Sequence, residues 1–263
     1  MSKCRIVALC NQKGGVGKTT VTMNLGIGLA RAGKRVLLVD SDSQGSLSAI
    51  LGWQDTDSLS YTLTDVYDNL IKGKMPDLTE GILHNEEGVD LMPSNITLSN
   101  MGEKLHNTIC RESKLKQYLD QQREHYDYIL IDCLPALGVL LQNALTAADS
   151  IIIPMNPHYL SVKGYADLFH TIEAVRIGLN EKLSIAGILF TVVDNRVKSN
   201  QEIMKMFRDS FGNEAVFETF IPKEAAFQRA AINAQSIFQE FARGKGSNAF
   251  EMLTAEIINK MEG

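Results

Sequence analysis

The sequence has few of the features that mark special classes of protein. Its 263 residues include only four cysteines, which form no CxxC pair and have no histidine at zinc-ligand spacing. No apolar run approaches the roughly 20 residues that a membrane-spanning helix needs, and the first apolar run, residues 6–10, is too short for a secretion signal. We therefore expect a soluble, cytoplasmic protein whose cysteines are reduced thiols.

An excess of positive charge is also missing. Lysine and arginine number 26 against 31 aspartates and glutamates, which gives a net charge of -5 and an isoelectric point near 5.6. This balance excludes a globally basic nucleic-acid-binding protein but not a local basic patch. Hydrophobic residues make up 44% and charged residues 22% of the chain, as in ordinary globular proteins, so a disordered or fibrous protein is excluded.

Short apolar runs alternate with amphipathic helical stretches along the chain. Several runs are continuously apolar, as in strands covered on both faces. The alternation predicts an α/β fold, a predominantly parallel twisted sheet flanked by helices on both faces, in one domain that spans residues 1–263. The predicted strands are 6–10, 36–39, 89–92, 128–131, 151–153, 185–191 and 215–221, and the predicted helices are 19–32, 114–122, 140–148, 163–178, 200–211 and 248–261. Residues 53–86 are polar and turn-rich, with weak helices only.

A glycine-rich loop follows the first predicted strand and precedes a predicted helix. Such glycines let successive backbone N–H groups point at phosphate oxygens, and the helix adds its positive N-terminal end. The alternative, a turn that only caps the helix, is disfavoured by the Lys-Thr pair that follows the glycines. Lys18 would reach the β- and γ-phosphates, and the Thr19 hydroxyl would ligate Mg²⁺. We expect the nucleotide to be held by Lys13, Gly14, Gly15, Val16, Gly17, Lys18, Thr19 and Thr20.

Two later strands end in carboxylates. Asp40 and Asp42 follow the run 36–39, and Asp132 follows the run 128–131. Ligands of open parallel sheets bind outside the carboxyl ends of the strands, so we expect these side chains near the phosphates. Alone, these residues would be a surface turn and a helix N-cap, and it is the phosphate-binding loop that favours the functional interpretation.

These motifs resemble the ParA/MinD family of P-loop ATPases. Residues 13–20 resemble its deviant Walker A signature, residues 36–45 its D-x-D-P-Q-G switch, and residues 128–138 its Walker B strand, D-C-P-P-S-L-G. Ser43, Leu134 and Ala136 depart from the family pattern. The order of the motifs resembles the Soj-like ParA branch over nearly the whole chain. The resemblance implies an ATPase that uses ATP and Mg²⁺, in which Asp42 orients the attacking water and lies at the metal. It also implies that Asp132, at the end of the Walker B strand, holds Mg²⁺ through a water.

The resemblance also implies an ATP-dependent homodimer. Lys13 would reach across a two-fold interface to the phosphates of the other subunit and act in catalysis as an arginine finger does. Residues 221–224 are similar to the family's I-P-R-N, so Pro222 and Glu224 would line the adenine. Glutamate in place of asparagine exchanges a donor-acceptor amide for an acceptor, which puts the base contact in question.

By this resemblance the protein is a partition ATPase associated with the nucleoid. Its ATP-bound dimer would bind DNA without sequence preference, and a ParB-like centromere-binding protein would stimulate hydrolysis and release, moving plasmid, chromosome or mobile-element DNA. Since the first strand begins within a few residues of Met1, we expect no N-terminal helix-turn-helix and only backbone-tracking DNA contacts. The DNA-binding candidates, which as isolated residues would be ordinary solvated charges, are Arg196, Lys223, Arg243 and Lys245.

Three alternatives share the fold. A MinD-like membrane-associated positioning ATPase needs a basic amphipathic C-terminal helix, whereas residues 256–263 are weakly apolar and not basic, so no stable membrane association is expected. An electron-transfer ATPase needs paired cysteines for a cluster, and Cys110 and Cys133 do not match that pattern. A metabolic amide-forming synthetase needs an acid-substrate site, which the sequence does not reveal.

Overall fold

A computed structural model describes residues 4–262, except for the side chains of residues 159–166. Those residues contain one seven-stranded sheet in the order β3-β4-β2-β5-β1-β6-β7. All neighbouring strands are parallel except the edge pair β3 and β4. The strands are β1 Arg5–Leu9, β2 Val36–Ser41, β3 Leu83–His84, β4 Asp90–Met92, β5 Tyr128–Cys133, β6 Ser150–Met155 and β7 Ser184–Phe190.

Helices cover both faces of this sheet. They are α1 Lys18–Arg31, α2 Ser46–Ile50, α3 Leu63–Ile71, α4 Met101–His106, α5 Lys114–Gln122, α6 Val139–Ala147, α7 Tyr159–Gly178, α8 Lys198–Phe211, α9 Ala226–Ile232, α10 Ile237–Glu240 and α11 Lys245–Glu262. Successive residues of the central strand β2 point to opposite faces: Leu37 and Val39 belong to the core that α3 to α8 cover, and Val36 and Leu38 belong to the core that α1, α2 and α9 to α11 cover. The predicted fold class is confirmed.

One predicted strand, residues 215–221, is wrong. A 3₁₀ turn occupies Asn213–Ala215, and the segment beyond it touches the sheet only through single parallel bridges, Ile188 to Val216 and Val193 to Pro222. Between these bridges the backbone N–H groups of residues 218 and 219 donate to the Glu256 carboxylate of α11, at 2.7 and 3.0 Å. A side chain therefore takes the hydrogen bonds that a strand would have made to β7.

The region 53–86 is more regular than its composition suggests. Helix α3 lies within it and begins with a capping box, in which the Asp65 carboxylate accepts the Thr62 N–H at 2.8 Å and the Thr62 hydroxyl accepts from the first turn. The two-residue strand β3 was missed altogether, because so short an edge strand has no periodicity to detect. No helix in the described part of the chain combines the length and apolar character that crossing a bilayer requires.

Candidate functional site

The glycine-rich loop joins β1 to α1 at the carboxyl edge of the sheet. Gly15 and Gly17 have φ values of 72° and 81°, in the left-handed region that glycine enters at low cost. Gly17 is the N-cap of α1, so the loop leads directly into the four N–H groups that a helix leaves unsatisfied at its start. Gly14 has nothing within 4 Å of an added Cβ, and its backbone conformation does not demand glycine.

The loop is attached to the sheet at both of its ends. At its start, Asn11 Nδ2 donates to the carbonyl of Pro154 at 2.7 Å, and Asn11 Oδ1 accepts the Lys13 N–H at 3.0 Å. At its end, the Thr191 hydroxyl lies 2.7 Å from the carbonyl oxygen of Val16. The side chain of Lys13 is exposed, whereas that of Lys18 is buried, with 7% of its surface accessible.

The predicted magnesium ligands meet beside the loop. Asp132 of β5 is buried, its Oδ1 accepts the Thr22 hydroxyl at 3.4 Å, and the Thr19 side chain lies near the same carboxylate. Asp40 is its in-register neighbour on β2. Burial, followed by the nearby Asp40 carboxylate, raises the pKa of Asp132 to about 8. Burial likewise raises the pKa of Asp40 to about 6, although hydrogen bonds from Ser48 and Asp42 lower it.

Adjacent buried carboxylates favour a bound cation. Their oxygens suit Mg²⁺, which is usually held by one or two carboxylates together with substrate phosphates. Among the described residues, no group of three or more histidine, cysteine, aspartate or glutamate side chains is placed to hold a metal ion by itself. The site therefore fits an ion that binds together with a nucleotide, and Thr19 and Asp132 are the residues that would hold it.

Asp42 follows the end of β2 and is half-buried. Its backbone is fixed, because its carbonyl accepts the Ser94 hydroxyl at 2.8 Å and the Gly45 N–H at 2.9 Å. Its carboxylate oxygen Oδ1 accepts the Gln44 N–H at 3.1 Å, and its charge is felt at Asp132. The predicted catalytic carboxylate is thus held next to the buried pair.

A cavity of about 300 Å³ opens beside the N-terminus of α1. Its wall includes both residues expected to line the base, Pro222 and Glu224. The Glu224 carboxylate is partly committed elsewhere, since Oε2 accepts the Gly246 N–H in the first turn of α11 at 2.8 Å. The remaining lining residues are Gly17, Thr20, Val21, Thr191, Val192, Ile221, Lys223, Ala225, Phe227 and Gln228.

The predicted DNA-binding residues lie on three segments, of which the one that carries Lys223 contacts the other two. Arg196 pairs with Asp194 through Nε and Nη2, at 3.0 and 2.8 Å, and its side chain is 90% exposed. Hydrogen bonds from Arg196 lower the pKa of Asp194 to about 2, and Lys223 also contributes to this lowering. Lys223 is followed by Glu224, whose bond to Gly246 reaches the segment that carries Arg243 and Lys245. All four basic residues are exposed.

Sequence reasoning missed the polar residues that hold the loop and the switch. Asn156 and Thr191 follow the strand ends of β6 and β7, and their side chains lie 3.0 Å apart. Ser48 donates to Asp40 through its N–H and its hydroxyl, at 2.9 and 2.8 Å. A polar residue directly after an apolar strand was the available signal for Thr191, because strand ends are where ligands of such sheets bind.

Comparison with known proteins agrees with this geometry. A family model described as an AAA domain matches residues 4–185. The chromosome-partitioning ATPase Soj of Treponema pallidum is 40% identical over 257 residues, which cover 97% of this chain and 97% of that protein.

Two solved structures are similar over almost the whole chain. Cobyrinic acid a,c-diamide synthase from Mycobacterium smegmatis, with bound ADP and magnesium, has a TM-score of 0.86 and 30% identity over 99% of this chain and 96% of that one. A plasmid partition protein from Borrelia burgdorferi has a TM-score of 0.75 and 26% identity over 98% and 99% of the two chains. The phosphate-binding loop, the carboxylate pair and these relatives agree with one another. The chain therefore belongs to the ParA/Soj family of P-loop partition ATPases, and it is an ATPase that uses ATP and Mg²⁺.

Proposed function

We propose that this protein moves DNA by an ATP-controlled cycle. ATP binding drives formation of a homodimer, the dimer binds DNA without sequence preference, and a ParB-like centromere-binding protein stimulates hydrolysis and release. The cargo is a plasmid, a chromosome or a mobile element, and the protein works in the cytoplasm on the nucleoid. The observation that carries this proposal is the convergence of three basic segments next to the nucleotide cavity.

That convergence supports DNA binding because the segments are far apart in sequence. The Lys223 N–H donates to the carbonyl of Val193 at 2.9 Å, which joins the first segment to the second, and the bond from the Gly246 N–H to Glu224 joins the second segment to the third. Phosphate contacts need correctly placed positive charge and no particular base sequence. Lys223 and Glu224 also line the cavity, so the basic surface and the nucleotide share a wall.

The exposed Lys13 side chain supports a role outside its own subunit. Its backbone N–H is fixed by Asn11, which sets the point from which the side chain departs. In a dimer it would reach the partner's phosphates and supply the positive charge that an arginine finger supplies in other ATPases. Mg²⁺ bound with ATP neutralises charge on the phosphates. Lys18 would supply a further, buried positive charge, Thr19 and Asp132 would hold the ion, and Asp42 would orient the attacking water.

The membrane alternative has less support. The apolar residues Phe250, Leu253 and Ile257 of α11 are completely buried against the core, whereas a membrane-binding helix of the MinD type must present its apolar face to lipid. The amide-forming synthetase is the second candidate, since the synthase from M. smegmatis has the same fold. It predicts ATP turnover that depends on a carboxylic-acid substrate and an amide donor instead of on DNA.

The experiment compares retention on a DNA fragment with retention on anionic liposomes, each with ATP and with ADP, across a salt series. We expect retention on DNA with ATP only, with no dependence on sequence and a steep loss as salt rises. Arg196→Ala combined with Lys223→Ala should weaken this binding. The matched control, Arg176→Ala, removes an exposed, ion-paired arginine of α7 and should bind DNA like the parent protein. Retention on liposomes but not on DNA, or equal retention with ADP, would contradict the proposal.

A further inference from the structure

The hydroxyl of Thr191 is placed to control the phosphate-binding loop. Thr191 follows the last residue of β7 and is buried, with 1% of its surface accessible. Its Oγ1 lies 2.7 Å from the carbonyl oxygen of Val16 and 3.0 Å from the side-chain oxygen position of Asn156. The contact with Val16 joins residues 175 positions apart, and it falls within the glycine-rich loop itself.

Counting protons fixes the direction of both bonds. A hydroxyl has one proton, and a backbone carbonyl can only accept. Thr191 therefore donates to Val16, and Asn156 must turn its amide nitrogen towards Oγ1, since two oxygens without a proton between them would repel. Amide oxygen and nitrogen positions are assigned from such networks. The result is a chain of donors that runs from Asn156 through Thr191 to the carbonyl of Val16.

That carbonyl belongs to the peptide unit between Val16 and Gly17. In a trans peptide the carbonyl and the N–H point to opposite sides, so holding the Val16 oxygen against Thr191 turns the Gly17 N–H away from Thr191. Glycine tolerates either sign of φ, and Gly17 itself does not prevent this peptide from flipping over. A flipped peptide would present a carbonyl oxygen where the loop needs an N–H donor for a phosphate.

We propose that Thr191 is the positioning residue that locks the Val16–Gly17 peptide with its N–H available to the phosphates of the bound nucleotide. The proposal concerns nucleotide binding, which family membership establishes, and does not depend on DNA, a partner or dimer formation. Thr191 acts through the loop backbone, by keeping one carbonyl out of the phosphate site.

The residue after Thr191 supports a functional role for this corner. Val192 has φ of 54°, a left-handed conformation that costs a β-branched residue energy and is an outlier for that residue type. The next residue forms the isolated bridge to Pro222: the Val193 N–H donates to the carbonyl of Ile221 at 3.1 Å, and the Val193 carbonyl accepts the Lys223 N–H at 2.9 Å. The strained Val192 therefore lies between Thr191, whose hydroxyl contacts the phosphate-binding loop, and Val193, whose backbone bonds to Ile221 and Lys223 of the cavity wall.

The test measures the dissociation constant of MgADP for the full chain by calorimetry. Thr191→Val keeps the shape of the side chain but removes the donor, and we expect it to weaken MgADP binding about tenfold, because the unlocked loop spends part of its time flipped. Thr191→Ser keeps the hydroxyl and should bind within about threefold of the parent protein. If the valine variant does not fold, Thr191→Ala gives the same comparison with serine without the added methyl group.

A matched control separates this role from a general loss of stability. Thr146 is also buried, and its hydroxyl donates to the carbonyl of Gln142 at 2.6 Å, but it lies near the end of α6 that leads into the start of β6, at the opposite edge of the sheet. Thr146→Val should lower stability in urea and leave MgADP affinity unchanged. The proposal fails if Thr191→Val binds MgADP as the parent does, if Thr191→Ser is as weak as the valine variant, or if Thr146→Val loses the same affinity.

Discussion

Replacing Glu224 tests whether this residue supports the start of α11. Its carboxylate accepts the Gly246 N–H at 2.8 Å, a charge-assisted bond of the kind that contributes about 1.5–3 kcal/mol. The same negative charge lies at the positive end of a helix, an interaction of about 0.3–1 kcal/mol. The carboxylate is half-buried, so the lower part of these ranges applies, and we expect Glu224→Ala to lower the free energy of unfolding by about 2 kcal/mol.

Two further substitutions separate the contribution of the hydrogen bond from that of the negative charge. Glu224→Gln keeps an acceptor oxygen at the same reach but loses the charge, and should cost about 0.5–1 kcal/mol. Glu224→Asn introduces the residue of the family pattern, but its side chain is one methylene shorter and does not reach Gly246, so it should resemble alanine in stability. In thermal unfolding, the alanine variant should melt about 4–8 °C below the parent.

The assays are urea and thermal denaturation of the nucleotide-free protein, with Glu251→Ala as the control. Glu251 is exposed on the same helix, six positions after Lys245, and its loss should change stability little. Under the proposed function, Glu224→Ala should also weaken DNA retention, because Arg243 and Lys245 lie at the helix start that Glu224 holds. An alanine variant as stable as the parent would refute the assignment of the carboxylate to α11.

Two catalytic predictions follow from the exposed and half-buried residues of the site. Lys13→Ala should keep nucleotide binding but lose ATP-dependent dimerisation in light scattering, and its stimulated hydrolysis should fall by about 10³; an unchanged dimer would contradict the in-trans role. Asp42→Asn should bind MgATP normally yet hydrolyse it at least about 100-fold more slowly, since the carboxylate that orients the attacking water is gone; phosphate release at the parent rate would exclude that role.

Local sequence patterns were sufficient to predict those parts of the site in which the chemistry requires particular residue types. The order of strand, glycine loop, Lys18 and Thr19 predicted the loop, and the two strands ending in Asp40 and Asp132 predicted the carboxylate edge. The residues of each of these elements are adjacent in the sequence, so a local pattern is enough to find them. The structure then places Thr19 near the Asp132 carboxylate, as the motif order implied.

Hydrogen bonds between a side chain and the backbone of a residue far away in the chain could not be predicted from the sequence. The segment 215–221 has the composition of a strand, but the Glu256 carboxylate, far along the chain, takes two of its N–H groups. Glu224 was expected at the base, yet its bond to Gly246 depends on where α11 begins in space. The carbonyl of Val16 is bound from residue 191. In each case the partner is fixed by the packing of helices on the sheet and has no local pattern.

The net negative charge of the chain limits how strongly one subunit could bind DNA, so the proposed DNA affinity would have to depend on dimer formation. One subunit offers four basic candidates on a body of net charge -5, which gives a salt slope of at most about 3.6 and a loss of about 10²-fold in affinity between 50 and 200 mM salt. A dimer doubles the contacts on one DNA segment, so the slope approaches about 7 and the loss about 10⁴-fold. Because each contact multiplies the affinity, pairing two weak surfaces produces a strong one without a polycation. A slope near 3.6 with ATP would mean that only one subunit contacts the DNA, and would separate nucleotide-driven dimerisation from DNA binding.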